Sequence, residues 1–229
     1  MTIRHRTVEQ IIEEQAHRWQ LTRTEARKER RRPVVTISRQ SGAHGDEVAE
    51  RLAKTAGLDL FDRELIHQVS ESAHLSERVV SALDEKDRSL LTDWMTSLAT
   101  PSYLSPYGYL YHLTRVVGAI ARHGGAVIVG RGAHLILRRG EALRVRVVAP
   151  LDSRVATLAA SLGLSERDAK RRIEEIEAER RAFFTKHFHA TYGDPTAFDL
   201  VVNTDVLGVE GAVDTVQSCL ARLPEPVTA

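Results

Sequence analysis

The chain is short of several features that would place it in a particular class of protein. It has a single cysteine, Cys219, among 229 residues, so an internal disulfide and a zinc site built on paired cysteines are both excluded. No run reaches the roughly 18 apolar residues that a membrane span requires, and the N-terminus has no apolar segment typical of a secretory signal. These shortages predict a cytoplasmic protein with no membrane partner.

The ten histidines do not form a recognisable metal site. His187 and His189 are two positions apart, so they would point away from each other on a helix. His67 and His74 share a helical face, but two ligands do not make a site. Because no Ser-His-Asp signature is present either, the sequence predicts neither zinc chemistry nor a covalent nucleophile.

A strong charge of one sign is also lacking, because the formal net charge is only +1. Residues 1–32 nevertheless carry nine Lys or Arg against five Glu, a local +4, with the basic residues concentrated over 27–32. Such a run is usually a solvated helix end and linker, although it can also contact anionic surfaces. The charge therefore does not favour a nucleic-acid partner.

Ile11, Ile12, Ala16 and Trp19 recur at helical spacing and predict an amphipathic helix ahead of that basic linker. Its apolar face must pack either on the main body or on a second subunit, so a homodimer formed through this helix is one interpretation. The pattern changes at Pro33. We therefore expect three parts: an N-terminal helix and basic linker over 1–32, a main domain over 33–222 and a tail over 223–229.

Short β-branched runs alternate with helical patterns beyond Pro33. The strand-like runs are 34–38, 58–61, 126–130, 143–148 and 200–202, and a last helix is expected over about 208–222. Strands separated by helical stretches indicate βαβ units and a mainly parallel sheet. The sequence thus predicts an α/β fold.

In open α/β sheets, ligands bind beyond the carboxyl ends of the strands, so the residues after each strand are candidate site residues. The first strand is followed by Ser38-Arg39-Gln40-Ser41-Gly42-Ala43-His44-Gly45-Asp46, which leads into a helix. Glycines at this position let backbone N–H groups face a phosphate. The segment lacks the Lys and the spacing of a strict P-loop, so a tight strand-to-helix turn is the alternative interpretation.

Two other strand ends carry candidates. Gly130-Arg131-Gly132 follows the third strand, and an Arg between glycines suits bidentate phosphate binding, the alternative being a surface Arg beside a turn. Asp62 and Arg63 follow the second strand, where Asp62 also has the position of a helix N-cap. We therefore treat both strand ends as candidate binding sites.

A charged segment over 165–188 separates the last two strands. It opens close to a capping box, and it contains Arg172, Arg180 and Arg181. Glu177 and Arg181 are spaced for an i,i+4 pair, which is typical of a solvated, salt-bridged helix. The alternative is a lid whose arginines close over transferring phosphates.

Taken in order, these pieces resemble the cytidylate kinase-like family, a branch of the P-loop nucleoside monophosphate kinases. The residues that carry the resemblance are Val35–Gly45, Leu60–Leu65, Ile128–His134, Val145–Pro150, Ile173–Arg180 and Phe198–Thr204. The resemblance covers about 33–222 and implies a three-layer P-loop kinase fold with a five-stranded parallel sheet. It further implies a helical acceptor-binding insert near 62–124 and a helical lid near 163–197.

The reaction implied by the resemblance moves the γ-phosphoryl group of ATP to a nucleoside monophosphate, with Mg²⁺. Position by position, Arg39 would supply the positive charge that a P-loop Lys normally gives. Arg131 would hold the phosphate of the acceptor, and Arg180 would act from the lid with Arg172 and Arg181 as neighbours.

The same resemblance places Gly130 with Arg131, and Asp62 and Arg63, in the acceptor site. The loop departs from the family pattern, because His44 stands where a Gly is common and Asp46 where many members have a basic residue. The Asp46 carboxylate is the candidate Mg²⁺ ligand, but alone it would repel phosphate.

True cytidylate kinases have an Asp where this chain has Gly132. This chain therefore lacks a carboxylate that is involved in acceptor recognition in those enzymes. Two functions therefore stay open. One is an ATP-dependent kinase acting on a nucleoside monophosphate or a similar small acceptor. The other is a non-catalytic nucleotide sensor or regulatory protein on the same fold.

Overall fold

The structure, a computed structural model, describes residues 7–22, 32–83, 85–98 and 108–222. The basic residues at 27, 28, 30 and 31 and the expected tail over 223–229 lie outside the described residues. The helices are α1 (Val8–Thr22), α2 (Gly45–Ala56), α3 (Arg63–Glu71), α4 (Ala73–Ser81), α5 (Glu85–Leu98), α6 (Tyr109–His123), α7 (Ala133–Ile136), α8 (Leu151–Leu162), α9 (Glu166–Phe188) and α10 (Thr204–Leu220). The strands are β1 (Val34–Arg39), β2 (Asp59–Phe61), β3 (Ala126–Val129), β4 (Leu143–Val148) and β5 (Leu200–Asn203). Within the described ranges, no helix is both long and apolar enough to cross a membrane.

The five strands form one sheet in the order β2-β3-β1-β4-β5. β1 lies at its centre and pairs in parallel with β3 on one side and β4 on the other, so that Ile37 is level with Val129 and Val145. Helices separate successive strands along the chain, as parallel connections require. The predicted three-layer α/β fold with a five-stranded parallel sheet is confirmed.

One face of the sheet is apolar and packs under α2 and α10. Val35 and Ile37 of β1 and Val145 and Val147 of β4 are buried there with side chains of both helices. The opposite face is unusual for a parallel sheet, which is normally apolar on both sides. It carries buried polar residues at the alternate positions of the same two strands: Thr36, Ser38, Arg144 and Arg146.

The last helix differs from its prediction at its N-terminal end. α10 begins at Thr204 rather than near residue 208, because the Asn203 side chain caps it by accepting a hydrogen bond from the Asp205 N–H. Gly208 has a non-helical conformation with φ of +63°, so a kink separates the first turn of α10 from the helical stretch that was expected from about residue 208. The helices α5 and α7 were not anticipated.

The chain divides into two compact units. The smaller consists of the described residues of Met1–Arg32 and Phe61–Gly125, and the larger of Pro33–Leu60 and Ala126–Ala229. The α-helices of the smaller unit are α1 and α3 to α6, and the larger unit holds the phosphate-loop candidates and α9. The N-terminal helix thus groups with the segment that the sequence assigned to an acceptor-binding insert.

The apolar face of α1 is covered inside the smaller unit. Ile12, Ala16 and Trp19 are buried, the Trp19 ring stacks on His123 with 3.8 Å between centroids, and Glu13 pairs with Arg78 of α4 at 2.7 Å. Of the two interpretations of this face, the structure has it packed on its own chain. Dimerisation through α1 stays a prediction. The side chains of Ile12 and Trp19 are already buried against residues of their own chain.

Candidate active site

The loop between β1 and α2 makes a close turn directly before the N-terminus of a helix. Two residues adopt left-handed backbone conformations, Gly42 with φ of +81° and His44 with φ of +54°. A Cβ at Gly42 would lie 2.5 Å from the Arg154 carbonyl oxygen, so this position requires glycine. The arrangement brings the backbone of 40–44 to the start of α2, where N–H groups can meet an anion.

Arg39 and Asp46, which the sequence assigned separate roles, form an ion pair. The Arg39 Nε donates to Asp46 Oδ1 at 2.9 Å, with the Arg39 side chain 10% exposed and the Asp46 side chain 68% exposed. A side chain at Gly45 would collide with Arg39 Cβ. The charge of the Asp46 carboxylate, at the end of the candidate phosphate loop, is therefore compensated locally by Arg39.

Of the three arginines expected in the lid, Arg180 is the one that contacts the loop between β1 and α2. Its Nη1 donates to the Arg39 carbonyl oxygen at 2.6 Å, and the Tyr192 hydroxyl donates to the same oxygen at 3.1 Å. The other two lid candidates lie elsewhere on α9. The Arg172 Nη1 lies 3.4 Å from Glu175 Oε2 at the surface of the helix, and Arg181 is exposed.

The expected pair of Glu177 with Arg181 is wrong. Glu177 instead accepts from Arg154 Nη1 at 2.7 Å. Arg154 lies on α8 with only 7% of its side chain exposed, and a buried guanidinium requires a partner more than an exposed one does. Arg154 also donates to the carbonyl oxygens of Ala149 at 3.0 Å and Ser41 at 3.4 Å, so it connects the loop to α9. Sequence reasoning missed this residue, and no local pattern marks it.

The Gly130-Arg131-Gly132 turn lies at the carboxyl end of β3 and leads into α7. All three residues have positive φ, at +74°, +51° and +70°. The Arg131 guanidinium lies 5.8 Å from the centroid of the Phe183 ring of α9, and a side chain at Gly132 would collide with the Phe188 ring. Arg131 therefore lies beneath the same helix that brings Arg180 to the loop.

The polar face of β4 supplies two arginines that the sequence analysis did not select. Arg144 makes a two-pronged contact with Asp199, with Nε 3.0 Å from Oδ2 and Nη2 2.5 Å from Oδ1. These hydrogen bonds lower the pKa of Asp199. Arg146 donates from Nη1 to Ser38 Oγ at 2.9 Å. The alternating pattern Leu-Arg-Val-Arg-Val-Val was the available signal, since it places both arginines on one face.

A buried histidine borders this polar face. His134 of α7 stacks on Phe198 with 4.5 Å between ring centroids and on Phe184 with 5.6 Å. Burial, reinforced by the charges of Arg146 and Arg144, lowers the pKa of His134 to about 3. The imidazole is therefore neutral at physiological pH and adds no positive charge of its own.

The two remaining candidates lie in the smaller unit. Asp62 Oδ1 accepts a hydrogen bond from the Leu65 N–H at 2.7 Å, which confirms its expected position as the N-cap of α3. Arg63 is exposed on the first turn of the same helix. Their role in acceptor binding stays a prediction.

No cluster of three or more His, Cys, Asp or Glu side chains suited to a metal ion occurs among the described residues. Mg²⁺ does not need such a cluster, since it commonly takes one or two carboxylates and completes its shell with water and substrate phosphates. Asp46 fits that requirement, because its side chain is mostly exposed and lies directly after the candidate phosphate loop.

Comparisons with known proteins match most of the chain. A family model described as the cytidylate kinase-like family matches residues 34–206. A curated cytidylate kinase from Ignicoccus hospitalis is 28% identical over 191 residues, which cover 82% of this chain and 98% of that protein. A solved structure of an uncharacterized protein from Eubacterium ventriosum superposes with a TM-score of 0.64 at 17% identity, covering 83% of this chain and 98% of that one.

Proposed function

Because the chain belongs to the cytidylate kinase-like family, we propose that it transfers the γ-phosphoryl group of ATP to a nucleoside monophosphate. The observation that carries the proposal is the meeting of α9 with the phosphate loop, where Arg180 lies 2.6 Å from the Arg39 carbonyl oxygen. A lid arginine is thereby held next to the place where phosphates would bind.

Phosphoryl transfer depends on positioning and charge neutralisation rather than on a covalent nucleophile. The backbone of 40–45 would hold the phosphates of ATP at the N-terminus of α2. Arg39 and Arg180 would neutralise the charge that develops during transfer, and Arg131 would hold the phosphate of the acceptor through a forked contact. Arg180 would exchange the Arg39 carbonyl for a phosphate oxygen when substrate arrives.

Asp46 would hold Mg²⁺ together with the phosphates of ATP. When bound, the ion neutralises the charge on the β- and γ-phosphates. Asp46 must then share its carboxylate between Arg39 and the ion, and its exposed side chain leaves one edge accessible.

A second function is favoured by one specific observation. The charge of Arg39, the residue expected to replace the P-loop Lys, is compensated by Asp46 at 2.9 Å. A loop neutralised in this way could bind nucleotide without accelerating transfer, which is what a non-catalytic sensor needs.

The decisive experiment measures ADP release from Mg·ATP with CMP, dCMP, UMP, AMP and GMP, each against a control without acceptor. Arg131→Ala should abolish the acceptor-dependent release, because it removes the expected anchor of the acceptor's phosphate. The matched control is Arg171→Ala, which removes an exposed arginine paired with Asp168 on α9 and should leave release unchanged.

The outcomes separate the two functions. Acceptor-dependent release that disappears in Arg131→Ala establishes a nucleotide kinase and names its acceptor. Binding of ATP with no release for any acceptor contradicts the kinase and supports the sensor. Loss of all binding at millimolar Mg·ATP would contradict both.

A further inference from the structure

Arg146 is a buried cation with which no acid among the described residues forms an ion pair. Only 6% of the residue is exposed, and its hydrogen bond within the described residues goes to a neutral hydroxyl, Ser38 Oγ. Asp199 pairs with Arg144, two residues before Arg146 on β4, and Glu177 pairs with Arg154. Because buried charges are normally paired or hold a ligand, this guanidinium requires an explanation.

The surroundings of Arg146 hold its guanidinium in place without neutralising it. Its Cζ lies 4.7 Å from the centroid of the Tyr192 ring and 5.5 Å from that of Phe198. A Cβ at Gly193 would lie 2.8 Å from Arg146 Nη2, so the Gly193 backbone packs directly against the guanidinium and a side chain there would displace it. The neighbouring His134 is neutral, since burial is the main cause of its lowered pKa. Among the residues that the structure describes, the positive charge of Arg146 therefore has no acid paired with it.

The position of Arg146 is where a ligand can meet it. Arg146 is level with Ser38 in the parallel pairing of β1 and β4, and Ser38 is the last residue of the polar face before the phosphate loop. Ligands of open parallel sheets bind at this carboxyl edge. Ser38 Oγ accepts from Arg146 and so keeps its own O–H available to donate, which gives two kinds of donor at one place.

We propose that Arg146 and Ser38 form an oxyanion subsite that binds a phosphate group at the carboxyl edge of β1 and β4. A guanidinium with its fork held by aromatic rings, beside a hydroxyl donor, matches the oxygen geometry of phosphate. We propose binding at this subsite and no chemical step. If the phosphate belongs to the acceptor nucleotide, the subsite rests on the proposed function. Inorganic phosphate is the other source.

The first experiment observes Arg146 itself. Inorganic phosphate is titrated into the full-length protein at constant ionic strength, and the Nε–H resonance of Arg146, assigned by its loss in Arg146→Met, is followed by NMR. The expected result is a saturable shift of this resonance. The affinity for phosphate should weaken about tenfold in Ser38→Ala, because the hydrogen bond from the Ser38 hydroxyl to the charged phosphate is lost. A resonance that does not respond, while other arginine signals do, overturns the proposal.

A stability measurement separates a ligand site from a structural arginine. Arg146→Met keeps an unbranched chain against Tyr192 and Phe198 but removes the uncompensated charge. In phosphate-free buffer its Tm should equal or exceed that of the wild type, and the rise in Tm that phosphate gives the wild type should be lost. The matched control is Arg171→Met, which should keep that rise. If the Tm of Arg146→Met in phosphate-free buffer is well below the Tm values of the wild type and of Arg171→Met, Arg146 has a structural role and the proposal is overturned.

The source of the phosphate is decided by competition. A nucleoside monophosphate that shifts the Arg146 resonance and displaces inorganic phosphate, while the nucleoside does not, assigns the subsite to the acceptor. A response to inorganic phosphate alone assigns it to free phosphate. Either response supports the subsite even if no ADP is released, so its failure and that of the kinase proposal are distinguishable.

Discussion

At the scale of single residues, burial decides the chemistry of His134 more than its neighbours in sequence do. The pKa of this imidazole falls to about 3 because the ring is enclosed, with the charges of Arg146 and Arg144 as smaller causes. The same residue in an unfolded chain has a pKa near 6.5. Between about pH 3 and 6.5, His134 is therefore protonated in the unfolded state and neutral in the folded state.

This difference predicts a pH dependence of stability. The contribution of His134 to the free energy of unfolding is fully present above about pH 6.5. It decreases by about 1.4 kcal/mol per pH unit as the pH falls towards 3. His134→Leu should remove that slope from the free energy of unfolding, measured by urea denaturation between pH 7 and 4. His17→Gln, at an exposed position of α1, serves as the control. Parallel curves for wild type and His134→Leu would contradict the prediction.

Gly42 and Gly163 test whether the phosphate loop depends on close packing or only on backbone conformation. Both have positive φ, but a Cβ at Gly163 meets nothing within 4 Å, whereas one at Gly42 meets the Arg154 carbonyl. Gly163→Ala should cost about 1 kcal/mol from backbone strain alone. Gly42→Ala should cost more than about 2 kcal/mol and weaken ATP binding, as checked by denaturation and titration. Equal effects of the two substitutions would show that the loop moves away freely.

At the scale of elements, the N-terminal half of α9 packs on α8 through one buried ion pair and a small apolar contact, and its C-terminal half adds the Arg180 hydrogen bond and aromatic contacts. Glu177 compensates Arg154, and Ala169 and Ile173 pack on Val155 of α8. The other charges of the helix mostly pair at the surface, as Glu175 does with Arg172. The helix therefore combines a fixed line of contact with a solvated outer side, and its role as a lid stays a prediction.

Two substitutions on this helix should differ strongly in their cost. Glu177→Gln leaves the Arg154 guanidinium buried without its acid and should cost about 3 kcal/mol in unfolding free energy. Glu175→Gln, two residues earlier and half exposed, should cost less than about 0.5 kcal/mol. Chemical denaturation of both variants checks this, and similar losses would mean that Arg154 finds another partner.

The sheet could be predicted from the sequence because its signal is local. β4 lies at 143–148 as its alternation indicates, and Gly57 ends α2 in a left-handed conformation, as expected of a glycine after a helical pattern. The partners of Arg146 and Arg154 could not be predicted, since both depend on how α9 and the segment after it fold back over distant strands. The same limit explains the wrong pairing of Glu177, for which only neighbours within one helix were available.

At the scale of the whole molecule, α1 is a structural part of the smaller unit. Trp19→Ala should cost about 3 kcal/mol, because it empties a buried position stacked on His123. Leu21→Ala, at a residue 63% exposed, should change stability by less than about 0.5 kcal/mol. Denaturation and light scattering are measured together. A change of mass in Trp19→Ala without loss of stability would favour the dimer contact instead.

The placement of α1 also sets the order of events on the ribosome. Glu13 leaves the exit tunnel 65 positions before Arg78, its partner in the folded chain. At about 5–20 residues per second, the nascent helix waits roughly 3–13 s for α4 to appear. The first strand waits similarly, because both of its neighbours in the sheet are synthesised after the smaller unit. During this interval the side chains of Ile12 and Trp19, which are buried in the folded chain, lack the partners that cover them.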